Sequence, residues 1–168
     1  MDGTSAIKLY NQEYWTVENM EACNWATNYG TRWGIHISAD DGKIKHGFKI
    51  AGNTVRDVYA SPVRASKKDA AFPSFYDVGG IYLKVTGAGR ADGVLIDGNQ
   101  VTNIIGVGIS FWGQGEDGKT FVMNYDNCSP HVVVRNNTVR RTADGILIYG
   151  TDDELVEHNL VEYAGSLG

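Results

Sequence analysis

Four side chains in this sequence have the types needed to move protons, and four more suit holding a sugar against them. Lys84 and His36 are candidate bases, and Asp144 and Asp77 are candidate acid–base carboxylates. Glycosidic hydrolysis uses a pair of carboxylates, whereas elimination from a uronic acid uses a strong base with cations over the sugar carboxylate. Arg32 offers such a cation, and Tyr82, Trp112 and Tyr149 offer flat apolar faces with polar edges, which match the faces of a sugar ring. Each residue also has an ordinary use. Asp144 fits the turn in Ala-Asp-Gly, Lys84 a solvated strand position, and His36 a hydrogen-bonding strand histidine. No one of them forms a motif alone, so their meaning depends on the elements that carry them.

Those elements recur. A Gly followed by alternating apolar and polar residues appears as Gly34-Ile-His-Ile-Ser38, Gly80-Ile-Tyr-Leu-Lys84, Gly108-Ile-Ser-Phe-Trp112 and Gly145-Ile-Leu-Ile-Tyr149, with Ala6-Ile-Lys-Leu-Tyr10 as a relative lacking the Gly. Alternation of period two marks a strand with one buried face. The outward places then form two rows: Lys8, His36, Tyr82, Ser110, Leu147, and Tyr10, Ser38, Lys84, Trp112, Tyr149.

A second pattern separates these strands. It reads Val17-Glu-Asn-Met-Glu-Ala22, Ile50-Ala-Gly-Asn-Thr-Val55, Ile96-Asp-Gly-Asn-Gln-Val101, Val134-Arg-Asn-Asn-Thr-Val139 and Val156-Glu-His-Asn-Leu-Val161. Asparagine holds the fourth place in all but the first, where Met20 follows Asn19. Asparagine tolerates the left-handed backbone region, so each copy reads as strand, tight corner, strand, with its apolar ends pointing inward. Repeats of this size define the architecture. The chain resembles the right-handed parallel β-helix proteins of the pectate-lyase-like class, over Ala6 to about Tyr163. The resemblance implies an all-β solenoid of about five to six coils, residues 1–168 forming one domain. It also implies a polysaccharide groove floored by the outward rows. The acidic pairs of polygalacturonase-type members are not matched.

The repeat is broken twice. The stretch from Val55 to Gly79 carries Asp57, Tyr59, Arg64, Lys67, Lys68, Asp69, Tyr76 and Asp77, and that from Gly113 to Pro130 carries Glu116, Asp117, Lys119 and Tyr125. Long insertions on a rigid repeat form walls or decoration. Asp40-Asp41, Glu116-Asp117 and Asp152-Asp153-Glu154 are expected in turns after Gly-led strands, as solubilising turn formers or as calcium ligands. Gly113-Gln-Gly-Glu-Asp-Gly118 has dinucleotide-loop spacing, but no helix pattern follows and its two acids oppose a pyrophosphate. The four histidines lack zinc-site spacing.

A net charge of −5 without a basic cluster argues against nucleic acid and anionic membrane surfaces, and no apolar run is long enough to span a bilayer. Cys23 and Cys128 fall about three coils apart, too far for a disulfide, and are expected to be free and partly buried. Met1–Ala6 has no signal-peptide pattern, and neither end reads as a solenoid cap. The expectation is therefore a piece of a longer secreted or cell-surface protein, contacting further coils or domains of its parent. Its expected function is polysaccharide binding and cleavage, as a glycoside hydrolase or polysaccharide lyase. A non-catalytic adhesin-like or phage-tail spacer is the alternative. No cofactor beyond calcium is implied.

Overall fold

The computed structural model describes residues 5–27, 30–60, 78–87, 89–113 and 128–165, and every regular element among them is a β-strand. In chain order these are β1 Ser5–Tyr10, β2 Thr16–Glu18, β3 Glu21–Trp25, β4 Arg32–Ala39, β5 Ile44–Ala51, β6 Thr54–Tyr59, β7 Val78–Val85, β8 Arg90–Asp97, β9 Gln100–Gly113, β10 Ser129–Arg135, β11 Thr138–Tyr149, β12 Thr151–Glu157 and β13 Leu160–Ala164. All pairings are parallel. One sheet runs β2-β5-β8-β10-β12. The other contains two ladders: β1-β4-β7-β9-β11, built on the Gly-led strands, and β3-β6-β9-β11-β13. The long strands β9 and β11 belong to both. Their first halves continue the β6 ladder and their second halves continue the β7 ladder.

The repeat's alternation fills the space between these ladders. Ile35, Ile81, Ile109 and Phe111 from the Gly-led strands are fully buried, as are Ile50, Ile96 and Val134 before the corners and Val55 and Val139 after them. Burying one such side chain contributes about 2 kcal/mol, so these rows are the principal reason the strands stack.

The leading glycines have a steric cause. A Cβ on Gly34 would sit 2.3 Å from Val55 Cγ1, on Gly80 2.6 Å from Val101 Cγ1, and on Gly108 and Gly145 2.4 Å from Cγ1 of Val139 and Val161. On the first three it would also crowd the carbonyl of the glycine stacked beside it, at 2.6–2.7 Å. The two sequence patterns are therefore halves of one packing unit: each glycine leaves the space taken by the last aliphatic of the following corner.

The corner asparagines do not adopt the left-handed conformation expected of them. It falls one residue earlier, at Asn19 (φ 55°), Gly52 (63°), Gly98 (65°), Asn136 (56°) and His158 (51°). Asn53, Asn99 and Asn137 instead point inward, at most 1 % exposed. Each side-chain amide accepts and donates along a column. Asn99 Nδ2 donates to Asn137 Oδ1 (2.9 Å) and to the Ile50 carbonyl (2.9 Å), while Asn99 Oδ1 accepts from the Asn53 amide N–H (3.0 Å) and Nδ2 (2.9 Å). The same contacts link Asn53 back to Val17 and Asn137 on to Asn159. Met20 continues the column only through its backbone N–H, which donates to Asn53 Oδ1. Corner asparagine is thus selected by buried hydrogen-bond demand, and its predecessor by backbone conformation.

Two more left-handed columns follow the strands. One aligns Tyr14, Gly47, Gly93, His131 and Asp153, and the other Asp57, Asn103, Arg141 and Tyr163. Asp57 and Tyr59 belong to β6 rather than to an insertion, and Asp152–Glu154 to β12 rather than to a turn. Neither cysteine forms a disulfide among the described residues; Cys128 is buried but Cys23 is exposed, because Cys23 takes an outward place on β3.

Candidate functional site

The Gly-led ladder places seven of the eight predicted residues on neighbouring strands. His36 pairs in register with Tyr82 and Ser110; Ser38, Lys84, Trp112 and Tyr149 follow one another in the next outward row. Arg32 lies at the start of β4 opposite Val78. Asp77 is outside the described residues, as are Arg64, Lys67, Lys68, Asp69, Tyr76, Glu116, Asp117, Lys119 and Tyr125.

The two outward rows differ in access. In the first, His36 (8 % exposed), Tyr82 (6 %) and Ser110 (0 %) are buried, although their strand positions point away from the core. Trp33 packs on them, its ring centroid 4.2 Å from His36 and 5.2 Å from Tyr82, while the Ser5 hydroxyl lies 3.3 Å from His36 Nδ1. In the second row Lys84, Trp112 and Tyr149 are half-buried and Tyr10 is exposed. The Trp112 and Tyr149 rings lie 5.5 Å apart at 46°. Lys84 has no carboxylate partner among the described residues, whereas Lys49, Arg56, Arg135 and Arg140 each pair with an acid on a neighbouring strand.

At the end of this row the Tyr10 hydroxyl donates to both Asp40 oxygens (2.7 and 2.8 Å), and Asn11 Nδ2 donates to Oδ1 (3.0 Å). These hydrogen bonds hold the Asp40 carboxyl below its usual range and raise the Tyr10 phenol. Asp40 is therefore an ionised acceptor tied to the first strand. Sequence alone placed it among turn acids; the cross-strand tie to Tyr10 depends on a pairing thirty residues long.

Asp144 stands elsewhere. It pairs with Val107, and Tyr149, the residue level with Lys84, lies five positions further along β11. At about 3.3 Å per residue this sets Asp144 roughly 16 Å along the strand from the Lys84 row, beyond the separation of cooperating glycosidase carboxyls, at most about 9.5 Å. Nor are Arg32 and Asp144 equivalent: Trp33, Gly79, Val107 and Asp144 share one register, and Arg32 is one place earlier.

Asp144 instead follows Ala143, which lines a concavity of about 550 Å³ on the neighbouring ladder. Its floor is Ile104, Ile105 and Ala143, and Tyr59, Asn103, Arg141 and Tyr163 stand around it. Among the described residues, none of the predicted site residues lines it. Asn103, Arg141 and Tyr163 all come from the left-handed column, where the backbone turn lifts successive side chains onto one surface. That conformation carries no residue-type signature here, so the site is not legible from residue pattern.

Among the described residues no three His, Cys, Asp or Glu side chains converge as a metal site, and no helix is long and apolar enough to cross a membrane. No family model, curated protein or solved structure matches this chain.

Proposed function

We propose that this chain is a right-handed parallel β-helix that binds polysaccharide along the row Tyr10, Lys84, Trp112 and Tyr149. The solenoid reading is supported by the fixed order in which the chain visits three parallel ladders, and the right hand is the one that parallel crossovers favour. The binding reading rests on one observation: aromatic rings and an amine stand half-open on neighbouring strands, spaced about 4.8 Å per step, close to the repeat of a stacked sugar chain. A secreted or cell-surface setting follows from that ligand.

Cleavage is a second reading, favoured by Lys84, whose amine lacks an acidic partner among the described residues and suits a base or a uronate contact. Asp144 does not share its row, so a lysine-based elimination fits better than a two-carboxylate hydrolysis.

Binding to neutral and uronic-acid polysaccharides, measured by calorimetry, tests the first reading. Trp112→Ala should weaken binding about tenfold or more, the worth of an aromatic anchor. Equal binding by the folded variant sinks the assignment. Ultraviolet-absorbing unsaturated products that vanish in Lys84→Ala would establish the elimination.

A further inference from the structure

The concavity on the β6-β9-β11-β13 ladder originates in side-chain size. Carrying the registers Val58–Ile104, Ile104–Thr142 and Thr142–Ala164 one residue further aligns Tyr59, Ile105, Ala143 and Gly165 in one outward row. The side chains shrink at every step of that row. The register slip adds to this, because β11 spans with Ala143 alone what β9 spans with Ile105 and Gly106. The space left over Ala143 is the hollow of about 550 Å³. Arg141 and Ala143 stand on β11, with β9 on one side and β13 on the other. The hollow therefore lies on the flank of the stack, where strands joined to either end would lengthen it rather than cover it.

Beside that row runs the left-handed column Asp57, Asn103, Arg141 and Tyr163. Its carboxylate is already committed: Asp57 pairs with Arg56 and accepts from Asn103 Nδ2 at 3.1 Å. Glu162, on the strand beside β11, pairs with Arg140. Arg141 is left exposed in a left-handed turn (φ 53°), with no hydrogen bond or ion pair among the described residues. A bare guanidinium is a two-pronged donor for a planar anion. Tyr163, 80 % exposed, stands level with it on β13, and Tyr59 bounds the hollow at its other end. With Nδ2 of Asn103 engaged by Asp57, its Oδ1 is the atom left to accept from a hydroxyl.

We propose that this hollow binds a ring-shaped carboxylate. The carboxylate takes the Arg141 fork, and the ring lies over Ile105 and Ala143 against a tyrosine, in a space two strand steps long, roughly 10 Å. A sugar acid and an aromatic acid share that chemistry and differ in whether hydroxyls reach Asn103. The site shares no residue with the row Tyr10, Lys84, Trp112 and Tyr149, so it is independent of polysaccharide binding there.

Titration of the isotope-labelled chain with glucuronate and with benzoate, followed by amide NMR, tests it. Saturable shifts should centre on Ile105, Arg141 and Ala143, with the Trp112 indole signal unmoved. Tighter binding of glucuronate identifies a sugar acid as the ligand, and tighter binding of benzoate an aromatic acid. Glucose and benzyl alcohol, which carry the rings without the charge, should bind more weakly by about tenfold or more, the worth of a charge-assisted hydrogen-bonded pair. Arg141→Gln should cost about the same factor, whereas Arg140→Gln, which removes a guanidinium already paired with Glu162, should change the affinity less than about twofold. No saturable shift with either acid overturns the proposal. Shifts centred on Lys84 and Trp112 overturn it too, as does an equal loss in Arg140→Gln and Arg141→Gln.

Discussion

The corner column and the Gly-led outward rows are built from the same repeat, yet they obey different rules. At the corners one residue type recurs because each buried amide must satisfy its neighbours above and below. On the outward rows no residue type is repeated in this way: one row runs from His36 through Tyr82 and Ser110 to Leu147, and the next from Ser38 through Lys84 to Trp112. The first region specifies stacking, and the second is free to specify a ligand. Substitutions at the corners should therefore damage stability first, and substitutions on the outer row should damage binding more than stability.

The largest effect is expected at Asn99. Asn99→Ala leaves the Asn53 amide, the Ile50 carbonyl and Asn137 Oδ1 short of buried partners, a loss of about 4 kcal/mol. Urea unfolding should show it as a lower midpoint, and an unchanged midpoint would break the distinction between the regions. Gly108→Ala should come next, at about 2 kcal/mol, because the added methyl meets Val139 and the Gly145 carbonyl. Trp112→Ala should cost less stability than either, because that side chain is only half-buried, while polysaccharide affinity falls about tenfold or more. Arg141→Gly should raise stability by about 0.5 kcal/mol, relieving a left-handed arginine.

The smallest expected effect is pH-dependent and lies on the third face. His131 Nδ1 lies 2.9 Å from Asp92, with His46 and Asp153 each 3.5 Å from a partner in the same line. The Asp92 hydrogen bond raises His131, and the same bond lowers Asp92. The raised histidine contributes below its unfolded pKa and loses that contribution as pH rises through its folded value. The lowered aspartate contributes above its unfolded pKa and loses that contribution as pH falls through its folded value. Stability should therefore peak between the carboxylate range and the raised histidine value, and His131→Asn should flatten that alkaline slope in thermal melts.

What the sequence conveyed followed from side-chain period. The alternation at Ile35, Ile81 and Ile109, and the aliphatic pairs around each corner, identified the inner faces. Three features escaped it. Period two shows that His36 and Tyr82 leave the core but not that Trp33 packs over them. Proximity to a glycine placed Lys84 and Asp144 on one ladder, yet on opposite sides of that marker, so strand length separates them. The left-handed columns place Tyr14, Arg141 and Tyr163, residues that rarely take that conformation, beside Asp, Asn, His and Gly, which take it more readily, because stacking of neighbouring strands outweighs local preference.

The point inside β9 and β11 where one ladder passes into the other governs how such a chain can change. The same junction is crossed by an unbroken strand at Ile104–Val107 and at Thr142–Asp144, where the register slips by one residue, but is separated by residues 61–77 between Ala60 and Val78. Strand pairing on both sides persists in every case. The junction is thus a splice port, at which whole segments enter or leave while the strands beside it keep their partners.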